Sequence, residues 1–182
     1  MNSKLKGGSV NLEEFEQKLC RVISKYRFES NRSHGVKNAK IGKQDNEFTD
    51  LEGIGAEIAF CKLFNVYPSE SLKIAPVSST TGNDKGDAIL PFDLVIDIKA
   101  TKYPNGKLLA VPWKTGKGID YYALMIGEFP SYIFKGFMHR DELINNKRKG
   151  DLGHGETYIA EQHELIDFCD VIELLKQQRS KK

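Results

Sequence analysis

The chain has 182 residues, of which 40% are hydrophobic and 29% charged, and its net charge at pH 7 is +2. This composition predicts one soluble globular domain and gives no overall signal for nucleic-acid binding. Because the sequence lacks both a run of eighteen apolar residues and an apolar leader, we expect no transmembrane helix, no secretory signal and no membrane partner. Cys20, Cys61 and Cys169 are isolated, which predicts free thiols in a reducing cytoplasm and argues against disulfides or a zinc site.

The distribution of charge is more informative than its sum. Seven Lys or Arg residues lie between Arg21 and Lys43, and the C-terminal end of the chain is also basic. We expect a disordered N-terminus over residues 1–10, one domain over residues 11–178, and a solvated basic tail over residues 179–182.

The first predicted element is an amphipathic helix. It begins at Asn11, with Glu14 three residues later as its capping-box partner, and runs to about Phe28. Apolar residues recur at spacings of three and four, which predicts a stripe that packs into the core. This stripe consists of Leu12, Phe15, Leu19, Val22 and Tyr26.

Residues 29–48 break this periodicity and contain Gly35 and Gly42, which predicts a long basic loop. Two interpretations remain open, a phosphate-binding segment and a merely flexible loop. In the first, Lys, Arg and Asn side chains donate hydrogen bonds to phosphate oxygens. The candidate donors are Asn31, Arg32, Lys37, Asn38, Lys40 and Lys43.

A second helix is predicted from Thr49 or Asp50 to about Asn65. At about 100° per residue, Glu57 falls in the middle of its apolar face, while Glu52 points the opposite way. An unpaired carboxylate in that position is costly, so Glu57 needs a cation, a hydrogen-bond network or a proton. The alternative to a functional role is a Glu hydrogen-bonded to a neighbouring loop.

The next predicted element is a β-hairpin, with strands over residues 87–90 and 94–101 and a three-residue turn over residues 91–93. This turn makes paired residue numbers sum to 184, so that Asp87 faces Asp97. Opposed carboxylates roughly 5 Å apart at Cβ repel each other unless a cation with oxygen ligands lies between them. The hairpin therefore predicts a divalent-metal site, although a one-residue slip would move Asp87 to the other face.

The second hairpin strand alternates in polarity. Asp97, Lys99 and Thr101 share one face, which places an acid and a base on the same side of the sheet. The alternative interpretation is an exposed hairpin with scattered charges.

The rest of the chain predicts further strands and two helices. Residues 113–120 are too few and too glycine-rich for a full crossover helix between the third and fourth strands. The predicted strands span residues 108–112, 121–126, 132–138 and 156–160, and the helices span residues 141–146 and 165–178.

Glu57 on a helix, then Gly86-Asp87, then Asp97-Ile98-Lys99 at the end of a hairpin, resembles the PD-(D/E)XK nuclease superfamily. That group includes restriction endonucleases, phage exonucleases and archaeal Holliday-junction resolvases. The stretches 31–38 and 53–60 look like those of small uncharacterised phage and bacterial members. The resemblance implies an α/β fold, with a restriction-endonuclease-like central mixed β-sheet flanked by helices in a single domain.

The resemblance covers roughly residues 25–140. It departs from the family pattern at Gly86, where the family has a proline that many members lack. The helix between the third and fourth strands is also missing, which leaves the outer topology open.

The resemblance also implies roles for the site residues. Asp87, Asp97 and the Ile98 carbonyl would ligate Mg²⁺ or Mn²⁺. Glu57 would bind the metal directly, through water, or at a second metal site. Lys99 would orient the attacking water or help to deprotonate it. The DNA backbone would be contacted by Thr101, by Lys114 and by the donors of the basic loop.

These roles predict a metal-dependent DNA endonuclease that hydrolyses phosphodiester bonds in the cytoplasm, or in the bacterial host cytoplasm if a phage encodes it. Structure-selective cleavage in phage or mobile-element DNA processing is one form of this activity. The alternative is a non-catalytic DNA-binding or assembly module on the same fold. Substrate type, sequence specificity, the number of metals and the oligomeric state, including a homodimer, stay open.

Overall fold

The computed structural model describes residues 4–33, 46–72, 86–112, 118–153 and 155–179, and the side chains of residues 31, 32, 46, 178 and 179 are not described. The chain forms a mixed α/β domain in which helices pack on a mixed sheet. This agrees with the α/β part of the expected fold class. The helices and strands are β1 (Ser9–Asn11), α1 (Glu14–Ser33), α2 (Asn46–Phe64), β2 (Ala88–Leu90), β3 (Leu94–Thr101), β4 (Leu108–Ala110), β5 (Tyr121–Glu128), β6 (Ser131–His139), α3 (Arg140–Leu143), β7 (Lys149–Asp151), β8 (Glu156–Ala160) and α4 (Phe168–Arg179).

A five-stranded sheet in the order β1-β6-β5-β3-β2 forms the centre of the domain. Its strands pair antiparallel except for β3 and β5, which run parallel. The β2–β3 hairpin pairs Ala88 with Ile96 and Leu90 with Leu94, so the predicted register is confirmed. Pro91–Asp93 form the predicted three-residue turn, in which Phe92 and Asp93 have φ values of +70° and +60°.

The parallel pairing of β3 and β5 requires a crossover connection. Residues 102–120 make it, and their described part contains β4 but no α-helix. The prediction of a strand over residues 108–112 is correct for Leu108–Ala110. However, β4 belongs to a second, three-stranded antiparallel sheet in the order β4-β8-β7, where it pairs with β8.

Two apolar cores lie on opposite faces of the five-stranded sheet. Leu94, Ile96 and Ile98 point towards α1 and α2, whereas Tyr122 and Leu124 belong to the core shared with the three-stranded sheet. This alternation follows from the period of two along a strand. It determines on which side of the sheet each polar residue of β3 lies.

Helix α2 is buried on every side over residues 54–61. A helix that is apolar all round lies inside a protein, and α2 runs between α1 and the sheet. A Cβ atom at Gly55 would overlap the Tyr132 hydroxyl, so glycine permits this close approach. The Glu52 carboxylate accepts hydrogen bonds from the Phe129 N–H at 3.0 Å and the Tyr132 hydroxyl at 3.2 Å.

Helix α1 differs from the prediction in its start and its buried face. It begins at Glu14 rather than Asn11, and the Glu16 carboxylate accepts the Glu13 N–H at 2.6 Å in place of the predicted Asn11–Glu14 capping box. Cys20 and Ile23 are buried, and within the predicted stripe only Leu12 is equally buried. The prediction of a core stripe is wrong for Phe15, Val22 and Tyr26, which are 76%, 53% and 53% exposed.

The N-terminal end of the domain is more ordered than predicted. Ser9 and Val10, placed in a disordered N-terminus by the prediction, belong to β1 and pair with β6. The buried Asp167 carboxylate accepts hydrogen bonds from the Leu5 and Lys6 N–H groups at 3.1 and 3.0 Å. These bonds hold the segment that precedes β1 against the domain. Within the described part of the chain, every helix is too short or too polar to cross a membrane.

Candidate functional site

Asp87 lies at the open edge of the five-stranded sheet, immediately before β2. Its N–H donates to the Ile96 carbonyl at 2.7 Å, and its carboxylate oxygen Oδ2 accepts the Ile98 N–H at 2.7 Å. Gly86 precedes it with a φ of +69°, and a Cβ atom there would overlap the Ile96 carbonyl and the Val95 side chain. Proline cannot adopt this φ, so the glycine that departs from the family pattern suits the local backbone.

Asp97 and Lys99 point to the face of the sheet opposite α2, as the alternation of β3 requires. The Asp97 side chain is 4% exposed and forms an ion pair with the Lys99 ammonium group. That ammonium group also lies 5.9 Å from the centroid of the Tyr122 ring, on the neighbouring strand β5. The predicted acid and base therefore contact each other beside a buried aromatic ring.

Glu57 approaches from α2, on the other side of the sheet edge. Arg27 of α1 places Nη1 at 3.5 and 3.4 Å from the two Glu57 carboxylate oxygens. The Arg27 and Glu57 side chains are 24% and 11% exposed, so this ion pair is largely shielded from water. Glu57 thus obtains the cation that its apolar surroundings require, and a residue of this protein supplies it.

Arg27 also connects Glu57 to Asp87. Its Nη2 donates to the Ser71 carbonyl at 2.8 Å and to the Glu70 carbonyl at 3.3 Å. The hydroxyl of Ser71, which is fully buried, donates to the Asp87 carbonyl at 3.2 Å. Neither Arg27 nor Ser71 was identified from the sequence. Arg27 lies four residues after Ile23, on the same face of α1, and the predicted stripe did not include that face.

The three carboxyl groups affect one another. Burial raises the pKa of Asp87 well above its ordinary value, and the charges of Glu57 and Asp97 add to the effect. Burial also raises the pKa of Glu57, against the opposing influence of Arg27. Burial alone would lower the pKa of Lys99, but the charges of Asp97 and Asp87 outweigh it and raise that pKa.

This group of side chains has an excess of acid. Glu57, Asp87 and Asp97 supply three carboxylates, while Arg27 and Lys99 supply two cations. A proton on Asp87 or a bound cation would balance the remaining charge. The arrangement therefore suits either a protonated carboxylic acid or a metal ion.

Among the described residues, no three Cys, His, Asp or Glu side chains converge as a ready metal site. This agrees with the position of Glu57, which is bound to Arg27 across the sheet edge from Asp97. Mg²⁺ is commonly held by only one or two carboxylates, and it keeps several waters or substrate phosphate oxygens. Asp87 and Asp97 fit such a site as all-oxygen ligands.

The Ile98 carbonyl fits the same site. The Val95 carbonyl accepts a hydrogen bond from Asp120 beside β5, whereas the Ile96 carbonyl accepts one from Asp87 on the opposite side. Backbone groups of a strand alternate in direction, so the Ile98 carbonyl points to the Asp87 side, beyond the first residue of β2. A backbone oxygen therefore lies next to the two carboxylates.

The predicted DNA contacts are only partly described. Asn31 and Arg32 belong to the last turn of α1 rather than to a loop, so the loop predicted over residues 29–48 is wrong for residues 29–33 and 46–48. The Thr101 hydroxyl accepts the Tyr103 N–H at 3.4 Å on the face that carries Asp97 and Lys99. The predicted donors that lie outside the described residues are Lys37, Asn38, Lys40, Lys43 and Lys114.

A separate shallow concavity lies between residues 118–120 and 139–141. Its polar groups are engaged locally: the Asp120 carboxylate accepts the Val95 N–H at 2.8 Å, and Arg140 pairs with Asp141 at 3.0 Å. These bonds join the crossover to β3 and begin α3. The concavity therefore has a structural explanation, and the carboxylates at the sheet edge are the stronger candidate site.

No family model, curated protein or solved structure matches this chain.

Proposed function

We propose that the protein is a metal-dependent DNA endonuclease with its active site at the open edge of the five-stranded sheet. The observation that carries the proposal is the position of Asp87 directly before the first β2–β3 pair, with its carboxylate on the Ile98 N–H next to Asp97, and with Lys99 bound to Asp97. This arrangement combines two oxygen ligands and a cation in a site with an excess of negative charge.

The site residues would have different roles in phosphodiester hydrolysis. Asp87, Asp97 and the Ile98 carbonyl would hold Mg²⁺ or Mn²⁺, whose chemistry is to polarise a phosphate oxygen and to activate a water molecule. The Lys99 ammonium group, fixed by Asp97 and Tyr122, would orient that water and stabilise the negative charge that develops on the phosphate. Arg27 would hold the Glu57 carboxylate in place, so Glu57 would not need a metal ion as its partner.

A second candidate has an observation in its favour. Each carboxylate already has a partner within the protein: Arg27 for Glu57, Lys99 for Asp97, and the Ile98 N–H for Asp87. A DNA-binding or assembly module could keep such a network for structure alone. The two candidates differ in their response to metal, because only the nuclease gains stability and activity from it.

The deciding experiment measures cleavage and metal binding together. Purified protein is incubated with Mg²⁺ or Mn²⁺ on plasmid, single-stranded, flap and four-way-junction DNA, and thermal melting is measured with and without each metal. Asp97→Asn is the test variant. Asp93→Asn, which changes an exposed carboxylate in the same hairpin, is the matched control. We expect the parent and Asp93→Asn to cleave DNA and to be stabilised by metal, and Asp97→Asn to do neither.

Absence of cleavage on all four substrates, together with an unchanged melting temperature in either metal, would favour the binding module. DNA affinity is then tested with Arg32, Lys37 and Lys40 replaced together by alanine. Phosphate contacts predict weaker binding to every sequence and a smaller slope of affinity against salt concentration. An unchanged slope would contradict a phosphate-binding role for this segment.

A further inference from the structure

Ser71 is a fully buried polar residue in the segment that follows α2. It belongs to a turn in which the Leu72 N–H donates to the Pro68 carbonyl at 3.0 Å. Its hydroxyl donates to the Asp87 carbonyl at 3.2 Å, and its own carbonyl accepts Arg27 Nη2 at 2.8 Å. Buried polar groups need such partners, and both of these partners belong to the carboxylate site or contact it.

Asp87 depends on this hydroxyl because it lies outside the ladder of the hairpin. The first β2–β3 pair is Ala88 with Ile96, so Asp87 precedes the paired residues. Its N–H donates to the Ile96 carbonyl at 2.7 Å, and its carbonyl accepts the Ser71 hydroxyl. The peptide planes on both sides of Asp87 are therefore held, which sets the direction of its side chain. In that direction, Oδ2 accepts the Ile98 N–H at 2.7 Å.

Arg27 helps to keep the Ser71 hydroxyl available for Asp87. Burial raises the pKa of Glu57, and both Arg27 and a hydrogen bond from Ser71 oppose this rise. A serine hydroxyl has one proton, so Glu57 and the Asp87 carbonyl compete for it. Arg27 Nη1 lies at 3.5 and 3.4 Å from the two Glu57 oxygens, which reduces the need of that carboxylate for the serine proton. Arg27 Nη2 meanwhile holds the Ser71 carbonyl in place.

We propose that Ser71 and Arg27 are positioning residues for Asp87 and that they set the affinity of the carboxylate site for Mg²⁺ or Mn²⁺. This inference rests on the proposed function. A ligand that is already held in place loses less freedom when it binds a cation. Residues that hold metal ligands typically change metal affinity by about 10- to 100-fold. Loss of the Ser71 hydroxyl should therefore weaken cation binding although every metal ligand is still present.

The alternative is that the link from Arg27 through Ser71 to Asp87 only stabilises the fold. A structural role of this kind predicts a lower melting temperature and an unchanged metal affinity of the folded protein. Positioning predicts a looser contact between Asp87 and the Ile98 N–H, together with weaker cation binding. Two measurements separate these interpretations.

The first measurement needs no metal. Amide hydrogen exchange, followed by NMR in EDTA, reports the bond between the Ile98 N–H and the Asp87 carboxylate. We expect the Ile98 amide to exchange roughly 2- to 12-fold faster in Ser71→Ala, the effect of one hydrogen bond, and at the rate of the parent in Ser71→Thr, which keeps a hydroxyl. Ser24→Ala is the matched control and should leave this rate unchanged. Ser24 is also buried, but its hydroxyl donates within α1 to the Arg21 carbonyl at 3.1 Å.

The second measurement is the affinity for Mn²⁺, determined by calorimetry, with thermal melting in EDTA as the measure of stability. We expect Ser71→Ala to bind Mn²⁺ roughly 10- to 100-fold more weakly than the parent and to melt at a temperature similar to that of Ser24→Ala. Ser71→Thr should bind Mn²⁺ like the parent. Once Mn²⁺ is saturating, Ser71→Ala should cleave DNA at the rate of the parent, because no ligand is lost.

Arg27→Lys tests the other half of the link. Lysine keeps a cation for Glu57, but it places one nitrogen where the arginine fork places two. We expect Arg27→Lys to weaken Mn²⁺ binding as well. The losses of Arg27→Lys and Ser71→Ala should not add in the double variant, because both changes break the same link to Asp87.

An unchanged Ile98 exchange rate in Ser71→Ala would overturn the proposal, whether or not the protein cleaves DNA. So would a loss of Mn²⁺ affinity that Ser71→Thr does not restore, or additive losses in the double variant. Cleavage by the parent, with unchanged Mn²⁺ affinity in Ser71→Ala, would support the nuclease and reject the positioning role. Absence of Mn²⁺ binding by the parent would reject both proposals, and the link from Arg27 to Asp87 would then be structural.

Discussion

Replacing Arg27 with methionine removes the guanidinium group that contacts both oxygens of Glu57, while it keeps most of the apolar length of the side chain. Breaking a buried ion pair from one side costs about 3–5 kcal/mol, and a hydrogen bond to a charged group contributes about 1.5–3 kcal/mol. Arg27 and Glu57 are 24% and 11% exposed, so water screens part of this interaction. We therefore expect Arg27→Met to lower the free energy of unfolding by about 2–4 kcal/mol at pH 8, equivalent to about 5–15 °C in melting temperature.

This loss should depend on pH. The pKa of Glu57 is raised from its ordinary 4.5 by burial, so Glu57 takes up a proton more readily in the folded chain. Arg27 stabilises only the ionised form, and its contribution is present above the folded pKa of Glu57. As the pH falls through that value towards 4.5, Glu57 becomes neutral and the loss caused by Arg27→Met shrinks to that of the two carbonyl contacts.

Urea unfolding followed by circular dichroism in EDTA, at pH 8 and pH 4.5, measures both effects. Lys25→Met, an exposed charge on the same helix, is the matched control and should change stability by less than about 0.5 kcal/mol. The double variant with Glu57→Gln should recover part of the stability, because no buried charge is left without a partner. Equal losses for Arg27→Met and Lys25→Met at pH 8, or equal losses for Arg27→Met at both pH values, would refute the reasoning.

Three further results are expected. Lys99→Ala should retain Mn²⁺ affinity, measured by calorimetry, and should cleave DNA roughly a hundredfold or more slowly, because one positioned catalytic cation is removed. A cleavage rate like that of the parent would contradict this role. The raised pKa of Asp87 makes folded stability decrease as pH rises through that pKa, so Asp87→Asn should melt higher than the parent in EDTA at pH 8 and lose its metal-induced stabilisation. A lower melting temperature in EDTA would show that the ionised carboxylate stabilises the fold. Ile23→Ala should cost about 2–4 kcal/mol and the exposed Val22→Ala less than about 0.5 kcal/mol in urea unfolding; the reverse order would restore the predicted α1 stripe.

The parts of the site that local sequence determines were predictable. The three-residue turn at Pro91–Asp93 fixes the hairpin register up to the Ala88–Ile96 pair, and Asp87 and Asp97 are the next residues on the two strands. Glu57 was recognisable because a single acid interrupts an apolar helix face. In each case the informative residues are close in sequence, so their spacing carries the geometry.

The contacts between distant segments were not predictable. Arg27 reaches Glu57 and Ser71 across 30 and 44 residues, and periodicity along one helix contains no information about such partners. The α1 stripe failed for a related reason: two apolar faces compete on that helix, and the position of α2 selects the one with Cys20 and Ile23. Likewise β4 has the sequence of a strand, but only its pairing with β8 places it in a separate sheet.

The position of the acidic residues at an edge, rather than in the middle of the sheet, has a functional consequence. In a central strand, the backbone N–H and C=O groups on both sides bond to neighbouring strands. An excess of negative charge buried there could not be reached by a cation from solvent. At this edge β2 begins at Ala88, so the Ile98 carbonyl and the Asp87 carboxylate lie beyond the last pair of the ladder. The pairing of β3 with β5 and of β5 with β6 does not depend on the acidic side chains of the site. The apolar core around Phe134 and Phe137 also does not contain these acidic residues. The fold can therefore carry an unbalanced carboxylate whose energy an external cation would lower, which is the condition that the proposed binding of a metal ion and a phosphate requires.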